Sequence, residues 1–561
     1  MRLFSKFWEG AAALGRRDGV RAAAPTQNVA AVGAAPACAA HGHTHTPDSS
    51  IVTVEQSDWS SRLAGLSYKP LEKDSQAGRA LDGAVDIAGS RLFFGGVIAA
   101  LTGWAIAGAI TQAPDIWQIV LQDVSSIQCY ISDMILMRQQ QRAFREQLRI
   151  IALLRSRATT VARCFKAMMK QDLLEPQAGG STVELYAGIE ERAHSMLEVG
   201  DALKLQPKDF ADRVIIALAG IMGNIGMVIA FCAAMITWVA LGPKYNWSNN
   251  WQLWLNTSTA LQQTLAVCLL TLARQRHNVY VENCMRSIFR QEAELEYRVR
   301  LLTGQAQPNP AVTVQSITQD GFARSLDWYA ALMGSGYGFA LSGILFIVWV
   351  VIGKPMGYSD DWWLIIGTTT GVIGTFNAAV LRFTLQQEER TLDKEYDSLA
   401  AEEQAVFKRL GLPGVHHTHQ YKETLMVRLS LATSRLCATR TAVLATMLLI
   451  LALLIGATAV LWNETAQLLV NSVTMILESF FLIVLIDAHN IEATGQRMRL
   501  HDILIRRLQL LVIARRLNSV HSPAAKDSLD GSLPSDAKIC RSKSLTTSSP
   551  AASCQALNAV D

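Results

Sequence analysis

Three carboxylates, Asp123, Asp133 and Glu478, lie within apolar stretches of this 561-residue sequence. A charged side chain at the depth of a bilayer costs a few kcal/mol, so such a residue usually faces an aqueous path or a partner. No Lys or Arg lies in the middle of these stretches to neutralise the carboxylates, which favours a cation as the partner. Carboxylate, amide and hydroxyl oxygens with a thiol suit divalent first-row metal ions without selecting one metal.

Other polar residues recur at helical spacing around these carboxylates. When Gln122, Asn256, Gly367 and Asn471 are taken as position zero of four segments, positions three and seven again carry polar or thiol groups in three of them. This spacing places the residues on one stripe of a helix. The third segment is largely glycine there. The candidate metal-path residues are Gln122, Asp123, Ser126, Cys129, Asp133, Asn256, Thr259, Gln263, Asn471, Thr474, Glu478 and Asp487.

Small polar residues have a second interpretation, because Ser and Thr also let membrane helices pack closely and bond to one another. Packing is the simpler explanation for most hydroxyl residues of the stripe, but it fits the carboxylates less well. Position nineteen holds an amide in every segment, near its cytosolic end. These amides are Gln141, Gln275, Gln386 and Asn490.

The elements that must position these residues are membrane helices. Half of the residues are apolar and 17% are charged. A helix needs about 20 apolar residues to cross a hydrocarbon core of roughly 30 Å. Four plain spans lie at 92–111, 222–241, 332–352 and 441–461, and each precedes a more polar one at 116–137, 251–272, 363–383 and 466–487. We therefore predict an all-α, polytopic membrane protein with about eight transmembrane helices built as four two-helix repeats.

The distribution of basic residues predicts the orientation. The breaks within the four pairs hold only Lys244 and Lys354, whereas residues 138–213 hold thirteen Lys and Arg, so the loops between pairs and both termini are expected in the cytosol. The predicted organisation is a largely disordered cytosolic tail at 1–84, repeat 1 at 85–138, a cytosolic helical loop at 139–213, repeat 2 at 214–272, a loop at 273–331, repeat 3 at 332–383, a loop at 384–440, repeat 4 at 441–487, an amphipathic cytosolic helix at 488–519 and a disordered tail at 520–561.

The N-terminal tail carries a second candidate metal site. Cys38, His41, His43 and His45 are closely spaced, and thiolate and imidazole are good metal ligands. The segment is also rich in alanine and predicted to be disordered, which favours an ordinary tail over a metal-binding one. None of the nine cysteines falls in an external turn, and no disulfide framework is predicted.

A tryptophan and glycine register links the copies. Trp104, Trp238 and Trp349 are each followed four residues later by Gly and thirteen later by Trp, while the fourth copy has lost both tryptophans and gained Glu478 and Asp487. Indoles beside a short external turn are typical of an interfacial aromatic belt. With this register, the segment QDVSSIQCYISDMILMRQQ at 122–140 resembles the signature of fungal low-affinity iron permeases. The second and third copies resemble single-unit bacterial members, and the similarity covers about 85–515.

The resemblance implies a plasma-membrane importer of Fe(II) with modest affinity and overlap with zinc, copper and manganese. Metal ions would be its substrates, lipid its surroundings, and neither a tightly bound cofactor, a nucleic acid nor an enzymatic reaction is expected. No Walker A pattern is present, so we expect transport driven by the membrane potential, which supplies roughly 4.6 kcal/mol per 100 mV to a divalent cation. The oligomeric state stays open.

Three alternatives remain at this stage. Four two-helix units could surround the pore of a cation channel, and weak binding would suit rapid passage. The chain could instead be a membrane scaffold or receptor without transport, whose cytosolic loops carry the function. An internal membrane is an alternative location to the plasma membrane.

Overall fold

The computed structural model describes residues 19–26, 76–170, 209–316, 320–410 and 424–521. Nearly all of these residues are helical, together with one pair of short antiparallel strands. The elements are β1 (Val20–Ala22), α1 (Gln76–Ala88), α2 (Arg91–Thr111), α3 (Asp115–Lys170), α4 (Phe210–Met222), α5 (Ile225–Leu241), a 3-10 turn (Gly242–Tyr245), α6 (Asn249–Thr303), β2 (Val312–Val314), α7 (Gly321–Met333), α8 (Gly336–Gly353), α9 (Asp360–Arg409), α10 (Leu425–Cys437), α11 (Arg440–Ala459) and α12 (Glu464–His521).

The helices follow one another as short, intermediate and long, and this order occurs four times among the described residues. Each short helix has 13 residues. It ends just before a polar residue whose side chain accepts a hydrogen bond from a backbone N–H in the first turn of the intermediate helix, which separates the two helices. These N-cap residues are Ser90, Asn224, Ser335 and Thr439.

The turn between the intermediate and the long helix has one geometry in all four places. Its second left-handed residue donates its N–H to the carbonyl oxygen five residues earlier, at 2.9–3.1 Å, which satisfies a carbonyl at the helix end. The four donor and acceptor pairs are Ala113 with Gly108, Trp247 with Gly242, Tyr358 with Gly353 and Trp462 with Ala457.

The tryptophan register locks these hairpins together. The rings of Trp104 and Trp117 stack with centroids 3.6 Å apart, and each indole Nε1 donates to the other residue's carbonyl oxygen, at 3.3 and 3.0 Å. Trp349 and Trp362 repeat both bonds, at 3.1 and 2.8 Å. A Cβ at Gly108 would lie 2.1 Å from the Trp117 ring, so the glycine makes room for the stack. The register therefore holds two helices side by side in addition to any contact with lipid.

The four long helices run parallel and close into a ring. α3 contacts both α6 and α9, and α12 contacts the same two helices. Their common direction is seen between α3 and α6, where Gln122 bonds Thr257 near the helix starts and Arg157 pairs with Glu292 further along. The order around the ring is α3, α6, α12 and α9.

Each unit also holds the next one around this ring. The end of every short helix packs against the long helix of the unit that comes next around the ring, and the direction around the ring is the same in all four cases. Two of the amides at position nineteen take part in these contacts and so have a structural role. The contacts are Gly89 with Gln275 on α6, Gly223 with Asn490 on α12, Gly334 with Arg138 on α3, and the carbonyl of Ser434 with Arg382 on α9.

Six helices of the described residues are long and apolar enough to cross a membrane: α2, α5 with its 3-10 turn, α8, α9, α11 and α12. The intermediate helices expose large apolar side chains outward, among them Ile106, Ile236, Ile347 and Leu448. A surface so apolar and so extensive is typical of contact with lipid. The chain is therefore an all-α membrane protein.

The long helices extend well past the predicted spans. The sequence predicts that the membrane spans end before 139, 273, 384 and 488, where a helical loop, two further loops and a separate amphipathic helix were expected to begin. Each of these boundaries falls inside a continuous helix, and the four helices end at Lys170, Thr303, Arg409 and His521. Hydropathy drops at these points because charged residues begin. The helices continue because those charges pair between neighbours and because a second apolar cluster, including Leu154, Ile288, Leu399 and Leu508, packs between them. The β1–β2 pair lies against α3 at the same end.

Candidate metal path

The polar stripe of the long helices lies inside the ring. All twelve candidate residues are at most 5% exposed, and Asp133, Asn256, Gln263 and Thr474 are fully buried. The sequence stripe was defined on separate helices, and the ring brings its members together because the long helices are parallel and in register. We call the column formed by Asp123, Ser126, Asp133, Asn256, Thr259, Gln263, Asn471, Thr474 and Glu478 the polar column.

The outer level of the polar column contains Asp123, Asn256 and Asn471 around Gly367. A Cβ at Gly367 would lie 2.6 Å from Asp123 Oδ1 and 3.7 Å from Asn471 Nδ2. Any residue other than glycine would therefore displace the Asp123 carboxylate. Asp123 Oδ2, Asn471 Oδ1 and both polar atoms of the Asn256 amide have no hydrogen-bond partner among the described residues. Buried polar atoms are rarely left in this state, and a cluster of them points to a ligand.

The inner level holds the other two carboxylates. Gln263 Nε2 donates to the Met475 carbonyl at 2.9 Å and approaches Glu478 Oε2 at 3.4 Å, while Glu478 Oε1 has no partner in the described part of the chain. Neither oxygen of Asp133 has one either. Asp133 and Glu478 are close enough to repel each other when both are charged. Gly374 gives Glu478 its space, because a Cβ there would lie 2.7 Å from Oε1.

Hydroxyl groups connect the two levels. Thr259 and Thr474 donate to carbonyl oxygens of their own helices, at 3.0 and 2.9 Å, which leaves their oxygen lone pairs available to a ligand. Ser126 Oγ has no partner within the described ranges. Gly371 lies beside this step, since a Cβ there would approach Thr474 Oγ1 to 2.8 Å.

Three predicted candidates are not donors of the polar column, although one of them, Cys129, lies beside its inner level. Gln122 points sideways to α6, where its Nε2 donates to the Leu253 carbonyl and to Thr257, both at 3.3 Å. Cys129 is buried in an apolar cluster at the inner level, near Asp133 and Glu478. Asp487 accepts a hydrogen bond from Ser430 of α10, at the contact between α10 and α12. Its carboxylate is therefore partnered by the protein. Cys38, His41, His43 and His45 lie outside the described residues.

Electrostatics distinguishes the polar column from an ordinary core. Asp123, Asp133 and Glu478 form no ion pair with a Lys or Arg among the described residues, although all three are buried. No group of three or more His, Cys, Asp or Glu side chains in that part of the chain is arranged as a preformed metal site. A divalent cation would thus be held by carboxylates supplemented with amide and hydroxyl oxygens, a hard and weakly selective donor set.

Sequence reasoning missed the part played by Gly367, Gly371 and Gly374. The sequence shows that the third copy is largely glycine at the stripe positions, but the sequence alone assigns these glycines no role. Each faces a polar group contributed by another helix of the ring. The available signal was the replacement of polar or thiol residues by glycine at positions zero and seven of one copy only.

These features define a helical membrane protein with a buried, acidic, polar interior. The profile of the low affinity iron permease family matches three stretches, 211–302, 322–408 and 426–518. Each match covers one short, one intermediate and one long helix. No solved structure matches the fold significantly.

Two yeast proteins are similar over most of their length. The low-affinity iron/zinc ion transport protein fet4 of Schizosaccharomyces pombe is 36% identical over 435 residues, which are 77% of this chain and 72% of that protein. The low-affinity Fe(2+) transport protein of Saccharomyces cerevisiae is 31% identical over 463 residues, which are 77% of this chain and 82% of that protein. The chain belongs to the low affinity iron permease family. The predicted family is thereby confirmed, and with it the assignment to transport proteins rather than enzymes.

Proposed function

We propose that this protein imports Fe(II) with low affinity across the plasma membrane, and that zinc, copper and manganese ions share the path. The observation that carries the proposal is the polar column, in which three buried carboxylates have no basic partner among the described residues and several oxygens have no hydrogen-bond partner. The two yeast relatives are named for transport of iron or of iron and zinc, which supports the choice of metal.

The same proposal includes eight membrane spans in four units. α3 and α6 fall outside the six most apolar helices, because their first halves carry much of the polar column. They follow the same hairpin turn as α9 and α12, and they complete the ring on which the path depends. The short helices and the cytosolic extensions of the long helices would then lie on the inner side, with both termini.

Low affinity and broad selectivity follow from the donor set. Among the described residues, three carboxylates belong to the polar column and its other donors are neutral oxygens, so these groups do not form a complete anionic cage around a metal. An ion that must leave as readily as it enters requires such weak binding. Inward movement of a divalent cation through a membrane potential supplies roughly 4.6 kcal/mol per 100 mV, so we propose secondary, potential-driven transport.

Uptake of radiolabelled Fe(II) into an iron-transport-deficient cell tests the proposal. Expression should give saturable uptake that falls when the membrane potential is collapsed and when zinc, copper or manganese is added in excess. An uptake rate equal to that of the empty-vector cell, with the protein confirmed at the cell surface, would contradict the proposal.

A cation channel is the second candidate, because four parallel helices surround one interior. A channel would give single-channel currents in a planar bilayer and a flux that scarcely saturates with iron concentration. The transport proposal expects saturation and no unitary currents.

A further inference from the structure

Two apolar layers bound the polar column along the ring. The outer layer lies three residues before position zero in every long helix, and the inner layer lies fourteen residues after it. The outer residues are Ile119, Leu253, Leu364 and Leu468. The inner residues are Leu136, Leu270, Leu381 and Leu485.

Each layer is a packed cluster. In the outer layer, Leu253, Leu364 and Leu468 are at most 5% exposed and form one apolar cluster, with Ile119 packed against it. The four inner leucines are fully buried and belong together to another cluster. The four helices thus supply an apolar side chain at the same register to close each end.

Helical geometry directs both layers to the side that carries the polar column. Steps of three and four residues repeat every seven, and in a parallel bundle they keep the side chains on the seam that faces the other helices. Positions minus three, zero, seven, eleven and fourteen obey this spacing. Along this seam the register is apolar at minus three, polar or glycine at zero, and polar, thiol or glycine at seven. Position eleven is polar in α3 alone, where it is Asp133, and position fourteen is leucine in all four helices.

A basic residue reinforces the inner layer. Arg274 on α6 lies one helical turn beyond Leu270 and is 6% exposed, and its Nη1 donates to the Leu136 carbonyl at 3.4 Å. A divalent cation moving from the polar column towards the cytosol would meet packed leucines and then a guanidinium. Apolar constrictions block ions by excluding the water that hydrates them.

We propose that the two leucine-rich layers are an outer and an inner gate, and that the structure is the occluded conformation of an alternating-access cycle in which the gates open in turn. The inference rests on the proposed function, because it takes the polar column as the metal path. It favours a transporter over a channel, since a channel would need both gates open together.

Cys129 provides a native reporter, because it is fully buried at position seven, between the layers. The full-length protein is treated with a charged, membrane-impermeant methanethiosulfonate, from outside in intact cells and from inside in inside-out vesicles. Mass spectrometry of the peptide that contains Cys129 measures its modification rate. The double variant L253A/L364A opens the outer layer, and L270A/L381A opens the inner one.

Outer-layer truncation should speed modification from outside about tenfold, equivalent to about 1.4 kcal/mol of gate stability, with little change from inside. Inner-layer truncation should do the reverse. L255A and L269A are matched controls, because these leucines lie on α6 at 4% and 2% exposure but off the seam, and they should modify at the wild-type rate. Should an alanine variant fail to reach the membrane, the Leu→Val variants at the same positions should show smaller changes in the same directions.

Gate variants that modify no faster than the controls would overturn the inference, as would variants that each speed modification equally from both sides. The measurement needs no metal transport. The expected modification pattern without iron uptake would therefore reject the proposed function alone, whereas iron uptake without that pattern would reject only the gates.

Discussion

Two halves of the same four helices bury charge in different ways. In the membrane half, Asp123, Asp133 and Glu478 form no ion pair among the described residues. In the other half, which we call the charged half, Glu292 lies between Arg157 and Arg507, at 3.6 and 3.0 Å, and Glu403 pairs with Arg506 and Arg507, at 2.5 and 2.7 Å. Burial alone therefore does not explain the unpaired carboxylates, because this fold supplies arginine partners where a charge is structural.

The ion-pair network of the charged half balances desolvation with fixed charges. Burial raises the pKa of Glu292 above its ordinary value, while Arg507 and Arg157 lower it. Glu403 and Glu292 raise the pKa of Arg507, against the effect of its burial. In the membrane half no fixed charge among the described residues balances the carboxylates, and the proposed balancing charge is the transported cation. This difference separates a structural role from a transport role and can be tested by removing charges from each half.

The largest effect is expected from Arg507→Ala. The substitution leaves Glu292 and Glu403 buried without one of their partners, and breaking a buried ion pair costs about 3–5 kcal/mol. Thermal unfolding in detergent should show this loss, while folded molecules keep the wild-type KM for iron. Arg286→Ala, at the more exposed pair with Glu282, should cost less than about 1 kcal/mol. Equal losses in the two variants would contradict the structural role of the network.

Glu478→Gln should reverse this pattern. Loss of a carboxylate ligand from the polar column should lower the rate of Fe(II) uptake at least tenfold, about the scale of lost metal-site contacts, and leave thermal stability unchanged or increased. Glu282→Gln, the same chemical change in the charged half, should transport normally. An E478Q protein with wild-type uptake at equal surface abundance would place the path elsewhere.

A buried acid at the border of the two halves, Glu389, should make the free energy of unfolding depend on pH. Burial raises the pKa of Glu389 to about 7, although Arg382 lowers it. Between the ordinary value of 4.5 and about 7 the folded state holds a proton that the unfolded chain has lost, so this group's contribution to stability falls as the pH rises. Glu389→Gln should gain about 2–3 kcal/mol relative to wild type between pH 5 and pH 8. A difference in melting temperature that does not change with pH would refute this assignment.

Gly374→Ala tests the space given to Glu478. A Cβ would lie 2.7 Å from Glu478 Oε1, so the flexible end of that side chain must move, and a ligand displaced by a fraction of an ångström should slow uptake about threefold. Gly343→Ala is the matched control, because a Cβ there meets nothing within 4 Å. Uptake assays at equal surface abundance compare the two. Identical uptake rates in Gly374→Ala and Gly343→Ala would mean that Gly374 does not set the position of the Glu478 carboxylate.

The smallest effect is expected from Asp487→Asn. Its carboxylate already accepts a hydrogen bond from Ser430, and the amide oxygen retains that bond. Fe(II) uptake should change less than about twofold, because the group lies outside the polar column. A loss as large as that of E478Q would mean that Asp487 shares the path.

The sequence predicted the hairpins, the register and most of the polar column, because hydropathy and the tryptophan spacing are local signals. The order of the long helices around the ring was not predictable from it, since no local pattern specifies that α3 lies between α6 and α9. Helical structure after residue 138 was predicted, but its continuity with the membrane helices was not, because that continuity depends on pairs such as Arg157 with Glu296 that join distant parts of the chain. Gly371 and Gly374 acquire a meaning only beside Thr474 and Glu478.

Binding of Mn(II) to the purified full-length protein, followed by electron paramagnetic resonance, tests whether the polar column is the cation path. Wild type and E282Q should bind the ion weakly and equally, and the double variant D133N/E478Q should lose the bound signal while keeping its melting temperature. Equal binding by the double variant and wild type would contradict the assignment of the polar column as the cation path.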